Sequence, residues 1–182
     1  MSARWNDARD ACDAEPAPPD RVLLPMTTSQ LDAVMAIESA AYAFPWTRGN
    51  FIDSIAARYP ARLLYNPAGE LLGYFVAMLG VDEMHLLNIT VAPEAQGRGH
   101  ARFLIDTLIA LCGDHAAHAL WLEVRHSNLR ARSIYERLGF TQVGVRKGYY
   151  PAALNQREDA VVMSFRVDAL RADRPGANDA LD

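Results

Sequence analysis

From Met84 to Leu111 the chain reads MHLLNITVAPEAQGRGHARFLIDTLIAL, and this stretch constrains the fold more than any other. Its first part is an apolar run rich in β-branched and long aliphatic residues, which predicts a buried strand that stops at Pro93. Its last part, Gly99 to Leu111, places Ala101, Leu104, Ile105, Leu108 and Leu111 at helical spacing and predicts a helix with one apolar stripe. Between them lies Gln96-Gly97-Arg98-Gly99-His100-Ala101. A strand that enters a glycine turn opening a helix presents unpaired backbone N–H groups at the positive end of a helix dipole, an arrangement suited to a phosphate or pyrophosphate. Gly97 and Gly99 let the backbone approach an anion with no Cβ in the way, and Arg98 and Arg102 add charge at the rim. The turn is neither a Walker loop, since no Gly-Lys-Ser/Thr follows, nor a GxGxxG dinucleotide fingerprint.

The elements around this centre follow in order. Val22–Leu24 predicts a short strand, and Thr27-x-x-Gln30 is a capping-box pattern opening a helix with Leu31, Val34, Met35 and Tyr42 on its apolar side. Phe44-Pro45-Trp46-Thr47 breaks that helix, and Thr47 caps a second short one with Phe51, Ile52 and Ile55 inward. Ala61–Tyr65 and Leu71–Val81 predict a hairpin around Asn66-Pro67-Ala68-Gly69. Beyond the central helix, Ala119–Val124 predicts a strand, Asn128–Leu138 a helix closed by Gly139, and Phe140–Lys147 with Glu158–Phe165 a last strand pair around a loop Gly148-Tyr149-Tyr150-Pro151. The order β, α, α, β, β, β, α, β, α, β, β indicates a mixed α/β sheet with helices on both faces. Residues 1–20, polar with several prolines, and residues 168–182 have little to pack and are expected to be a flexible leader and tail around one folded domain, 21–167.

Bulk properties remove several function classes. No apolar run reaches the roughly 18 residues of a membrane span, and the N-terminus has no secretory core segment, so a cytoplasmic protein without a membrane partner is expected. A formal net charge of −4 argues against direct nucleic-acid binding but leaves a basic peptide acceptable. Cys12 and Cys112 stand far apart without metal-type spacing, and His115 and His118 lack a third ligand, so free thiols and no metal are expected. Glu38, Asp53, Asp82 and Glu83 read as surface carboxylates.

Chemistry-bearing residues gather in LEVRHSNLRARSIYERLGF, Leu122 to Phe140. Glu123 lies near the end of an otherwise apolar strand, where a carboxylate is costly unless paired, solvated or used. Asn128 opens the next helix, a position that asparagine also fills simply as a cap, and Tyr135 falls inside that helix, where its ring also serves packing.

The combination of strand, Gln-x-x-Gly-x-Ala, helix, Leu-Glu-Val-Arg-x-Ser-Asn and Ile-Tyr-Glu-x-Leu-Gly-Phe resembles the GNAT acetyltransferases, in particular the RimI type, which acetylates the N-terminal alanine of a small-subunit ribosomal protein. Phe44-Pro45-Trp46-Thr47, Tyr149-Tyr150-Pro151 and Arg157-Glu158-Asp159-Ala160 resemble further segments of that family, so the likeness spans about Leu24 to Phe165. It implies the GNAT fold, a mixed and mostly antiparallel seven-stranded sheet, with acetyl-coenzyme A as co-substrate. It implies Glu123 as general base and Tyr135 as general acid. The pyrophosphate would lie on Gly97, Arg98, Gly99, His100, Ala101 and Arg102, and the pantetheine along the backbone of Ile89, Thr90 and Val91. Asn128 would touch the cofactor, and Phe44, Trp46, Tyr149 and Tyr150 would wall a groove for the N-terminal segment of the ribosomal protein.

The chemistry stands independently. A peptide α-amine has a pKa of about 7.7 to 8.0, so much of it is protonated at neutral pH and cannot attack a thioester until a base takes the proton. A phenol can return a proton to the departing thiolate, and a backbone N–H near Val91 can polarise the thioester carbonyl. Transfer is expected to be direct, because Cys112 lies deep in the central helix and is poorly placed as a nucleophile. Two alternatives remain: the same fold acting on a lysine side chain or small amine, which an acceptor screen separates, and a non-catalytic coenzyme A-binding module, which needs neither Glu123 nor Tyr135.

Overall fold

The computed structural model describes residues 21–167, so the leader and tail expected at 1–20 and 168–182 lie outside the described residues. Seven strands form one sheet: β1 (Val22–Pro25), β2 (Ala61–Tyr65), β3 (Leu71–Leu79), β4 (Glu83–Val91), β5 (Ala119–Arg125), β6 (Thr141–Pro151) and β7 (Arg157–Arg166). The helices are α1 (Leu31–Ala41), α2 (Arg48–Ala56), α3 (His100–Asp114) and α4 (Leu129–Arg137), in the order the sequence predicts. The strand order is β1-β2-β3-β4-β5-β7-β6. Every neighbouring pair is antiparallel except β4 and β5.

Local sequence explains the helix starts. The Thr27 N–H donates to Gln30 Oε1 (2.9 Å) at the turn leading into α1. At α2 the exchange is reciprocal, the Thr47 N–H donating to Asn50 Oδ1 (2.8 Å) and the Asn50 N–H to Thr47 Oγ1 (3.3 Å). Gly139, at φ 94, ends α4 in the left-handed conformation.

Alternation along the strands gives the sheet two apolar faces. On one face Leu104, Ile105, Leu108 and Cys112 of α3 are buried with Phe75, Ala77, Met84, Leu86, Leu120, Leu122 and Val124. On the other, Leu31 and Val34 of α1 and Phe51 of α2 pack on Leu63, Tyr74 and Val76. Burying each such side chain is worth about 1.5–3 kcal/mol, which suffices to fix which face each helix covers.

Three local expectations are corrected. Ile52 is 42% exposed instead of inward, because Phe51 and Ser54 set the buried side of the short α2. Gly148-Tyr149-Tyr150-Pro151 is not a loop: β6 runs through it to Pro151, with a register shift between Arg146 and Tyr150. The Gly148 N–H donates to Asp159 Oδ1 (2.8 Å) and Arg157 donates to the Tyr149 carbonyl (2.6 Å), so β7 holds the irregular segment in place. Glu38, read as a surface carboxylate, is 1% exposed.

Candidate active site

β4 and β5 pair only from Glu83–Ala119 to Leu86–Leu122. Beyond that point β4 continues to Val91 and β5 to Arg125 without a shared ladder, which opens a cleft at the C-terminal end of the sheet's one parallel pair. The cause lies in β4: Val76 of β3 pairs with Asn88 but Ala77 pairs with Leu86, so Leu87 is an extra, bulged residue at the place where β5 is lost. The backbone direction past the bulge follows from two contacts. A Cβ on Gly73 would meet Thr90 O at 2.5 Å, and the Ala92 N–H donates to Leu72 O (2.9 Å), so Thr90 O and Ala92 N point to β3. The polar groups of Ile89 and Val91 therefore point the other way, into the cleft.

At the end of β4 stands the glycine turn. Gly97 and Gly99 have φ of 80 and 75, and a Cβ at Gly97 would touch nothing within 4 Å, so the turn has open room beside its backbone. Gly99 is the N-cap of α3 and supplies no side-chain cap, which leaves the first N–H groups of α3 available to an anion. Positive groups gather around it. Arg21 donates to the Arg98 carbonyl (3.2 Å) and stacks on Phe103 (4.8 Å). His100 is 8% exposed with Nδ1 unpartnered; burial lowers its pKa, and the charges of Arg21 and Arg98 lower it further. Ala101 is half-buried, and Arg102 stays exposed beside Asp106 (3.7 Å). Gln96 ties the turn to both walls, donating to Val91 O (3.2 Å) and accepting from Arg130 of α4 (3.3 Å). A pyrophosphate fits this concentration of donors and cations.

The other wall carries Glu123. β5 is interior to the sheet, and because Leu122 and Val124 face α3, Glu123 and Arg125 project from the opposite face. The Glu123 side chain is 13% exposed and pairs with Arg146 Nη2 at 3.2 Å. Its carbonyl accepts the Tyr150 hydroxyl (2.8 Å). Arg125 lies over the rings of both Tyr150 (4.5 Å) and Phe44 (5.4 Å), steadied by Glu158 Oε2 (3.1 Å) and the Pro151 carbonyl (3.0 Å). One guanidinium thus joins the loop after α1 to β6. Tyr149 meets Tyr150 edge-on (5.0 Å) and lies under Arg146 (5.5 Å).

Of the residues singled out from sequence, Glu123, Phe44, Tyr149 and Tyr150 share this wall. Trp46 instead turns towards the core, 5.3 Å from Phe51. Asn128 Oδ1 accepts from the Ala131 N–H (3.0 Å), so that oxygen caps α4. Tyr135 sits on the α3 side, packed on Phe140 (5.7 Å). Burial pushes its pKa up, and the neighbouring Tyr42 and Tyr150 phenols push it further.

Sequence reasoning gave Arg125 and Arg146 no role, placed Tyr42 only on the apolar side of α1, and read Glu38 as a surface carboxylate. Glu38 Oε1 accepts from the Trp46 N–H (2.8 Å) and Asn88 Nδ2 (3.1 Å), and its Oε2 accepts from the Tyr74 hydroxyl and from Thr90 Oγ1 (3.2 Å). The signal was present: Leu31, Val34 and Glu38 lie three and four residues apart, on one helical stripe.

Residues 31–140 match the model of the acetyltransferase (GNAT) family. The chain belongs to the GNAT acetyltransferase family. Within it, the chain is 35% identical over 142 residues to the [ribosomal protein bS18]-alanine N-acetyltransferase of Escherichia coli, covering 78% of this chain and 95% of that protein. It is 36% identical over 129 residues to the protein of the same name from Haemophilus ducreyi, covering 71% and 88%. The crystal structure of the E. coli ribosomal-protein-S18-alanine N-acetyltransferase superposes with a TM-score of 0.74 at 33% identity, covering 89% of this chain and all of that one. This GNAT chain is therefore an acetyltransferase, with acetyl-coenzyme A as its co-substrate. Among the described residues no helix is long and apolar enough to cross a membrane.

Proposed function

We propose that this GNAT enzyme transfers acetyl from acetyl-coenzyme A to the N-terminal α-amine, alanine first, of a small-subunit ribosomal protein, with Glu123 as general base and Tyr135 as general acid. The observation that carries the reading is the placement of the Glu123 carboxylate at the open end of the β4–β5 cleft, one strand away from Ile89 and Val91, beside an aromatic wall built from the loop after α1 and from β6. The identity to bS18-alanine N-acetyltransferases over most of the chain supports the choice of acceptor.

In this reading the glycine turn, Arg98 and His100 hold the pyrophosphate, and the backbone edges of Ile89 and Val91 guide the pantetheine. Bound acetyl-coenzyme A supplies the thioester carbonyl that is attacked. Glu123, directly or through water, takes a proton from the ammonium so that the neutral amine presents its lone pair. Tyr135 approaches from the other face; its raised pKa keeps the phenol protonated until the sulfur needs a proton. Cys112 takes no part: it is fully buried, and burial pushes its thiol up to about 11.

The test is a mass-resolved assay with acetyl-coenzyme A, a basic peptide with a free N-terminal alanine, and the same peptide N-terminally blocked but containing lysine. Acetyl on the free-terminus peptide alone is the expected result. Modification of the blocked peptide would move the assignment to lysine, and transfer to neither, with acetyl-coenzyme A bound, would turn it to a small amine or a binding module.

A further inference from the structure

We propose that Tyr42, the residue that ends α1, belongs to the acceptor site: its phenol oxygen receives an N–H of the incoming amine. The inference rests on the α-amine reading above and adds a residue to it.

Tyr42 is the C-cap of α1, in extended conformation, and 37% of its surface stays in solvent. Its hydroxyl end is another matter. It donates to Ile89 O at 2.9 Å, a carbonyl in the stretch of β4 that has no β5 partner and that points into the cleft. Thr90 Oγ1, 3.2 Å from the same phenol oxygen, has one proton to donate, for which Tyr42, Glu38 Oε2 (3.2 Å) and Asn88 Oδ1 (3.0 Å) compete. Burial is the largest cause of the raised Tyr42 pKa, so the hydroxyl is desolvated although the ring flank is not.

Hydrogen-bond polarity decides what this oxygen can do. A phenol has one proton, and that of Tyr42 is committed to Ile89 O. Towards the cleft the oxygen is then an acceptor. Tyr150 repeats the arrangement from the opposite wall: its proton is committed to Glu123 O at 2.8 Å, and its oxygen is left as an acceptor. Tyr42 raises the pKa of Tyr150, and both raise that of Tyr135, so their hydroxyls share one region. The Glu123 carboxylate is acceptor-only as well. The mouth of the cleft therefore offers acceptors from both walls, the Glu123 carboxylate shared with Arg146, and the group that satisfies them is one rich in N–H donors, the α-ammonium or amine of the acceptor.

The support of Tyr42 is built into the core. Glu38, one turn earlier on α1, anchors the loop through the Trp46 N–H (2.8 Å) and reaches Thr90 Oγ1 (3.2 Å), so the helix end and β4 are bound to one buried carboxylate. Tyr42 is thereby held against Ile89 before any acceptor arrives, which lowers the cost of ordering it on binding.

The experiment uses Tyr42→Phe, which removes the oxygen and little else. Wild-type transfer to the free-alanine peptide is measured first and tests the α-amine reading by itself; its absence removes the reading and this inference together. With transfer established, Tyr42→Phe is expected to lower kcat/KM for the peptide about tenfold, what one hydrogen bond of ordinary net strength supplies, with acetyl-coenzyme A affinity unchanged and a small loss of Tm from the missing bond to Ile89 O. A desamino peptide, carrying hydrogen in place of the α-amine, serves as a competitive inhibitor. Its inhibition constant is expected to be the same for both enzymes, because it has no N–H for the oxygen to receive. Unchanged kcat/KM in the variant, or equal weakening of the amine and desamino peptides, overturns the proposal; the second result would assign Tyr42 to the shape of the groove.

Discussion

Glu123 and Tyr135 stand on opposite faces of the sheet at the same end of the β4–β5 cleft. Leu122 and Val124 are buried with α3, which turns Glu123 to the face covered by α1 and α2, whereas Tyr135 packs into the α3-side core. In the proposed roles, a base and an acid on opposite faces suit a reaction in which the amine enters from one side and the thiolate leaves towards the other.

Glu123→Gln and Tyr135→Phe are each expected to lower kcat by roughly 10²–10⁴ with little change in acetyl-coenzyme A affinity. Steady-state kinetics beside a direct binding measurement check this. Near-full activity in either variant would remove that residue from its role. Because the Tyr135 pKa is raised, any loss of rate from phenol ionisation should begin above the ordinary tyrosine value near 10.

Gly97→Ala separates anion binding from folding. At φ 80 an alanine is strained by about 1–2 kcal/mol, but its Cβ meets no atom within 4 Å in the protein, so the fold should survive with a modest loss of Tm. In the proposed site, the space it fills is the space offered to the pyrophosphate. Acetyl-coenzyme A affinity is expected to fall at least tenfold by calorimetry, while desulfo or truncated pantetheine analogues without phosphate lose nothing. Equal losses for both ligands would place the phosphates elsewhere.

Much of this was legible in the sequence because it is written in local patterns: the apolar period of α3, the Gln-x-x-Gly-x-Ala turn and the capping residues of α1 and α2 each act within a few residues. What was not legible depends on partners distant in the chain. The bulge at Leu87 is a register relation between β3 and β4. Tyr149 and Tyr150 read as loop because Gly148 and Pro151 bracket them, yet Arg157 and Asp159 of β7 carry the strand across. Arg125 reads as an ordinary strand-end charge until Phe44, some eighty positions earlier, is found against it at 5.4 Å. The aromatic wall was thus foreseen by residue type and misjudged at Trp46, whose ring the core takes instead.

Glu38 makes a stability prediction. It accepts hydrogen bonds from Trp46, Asn88, Tyr74 and Thr90, and Glu38→Ala takes that acceptor from the Trp46, Asn88 and Tyr74 donors, whereas Thr90 Oγ1 keeps Asn88 Oδ1 (3.0 Å). A loss of about 3 kcal/mol is expected in denaturant unfolding, large for a single change and larger than for the hydrogen-bonding replacement Glu38→Gln. A cost under about 1 kcal/mol for the alanine variant would mean that water replaces the carboxylate.

Glu158 sets an acid limit on the acceptor wall. Burial pushes its carboxyl up, but the Ser127 N–H (2.6 Å) and the Arg125 guanidinium (3.1 Å) outweigh this and hold its pKa below the ordinary 4.5. A folded-state pKa below the unfolded one contributes stability that is fully present above the unfolded value and is lost as pH falls through the folded one. Asp159, lowered mainly by the Gly148 N–H, acts in the same direction. The unfolding free energy of the wild type should therefore drop towards that of Glu158→Gln as pH falls from about 5 to about 3, and the two should differ most near neutrality. Because Glu158 also steadies the Arg125 that joins Phe44 to Tyr150, the peptide KM of Glu158→Gln should rise at neutral pH while the KM for acetyl-coenzyme A stays put. Parallel acid unfolding curves for the two proteins would show that the bonds to Glu158 add nothing to the folded state.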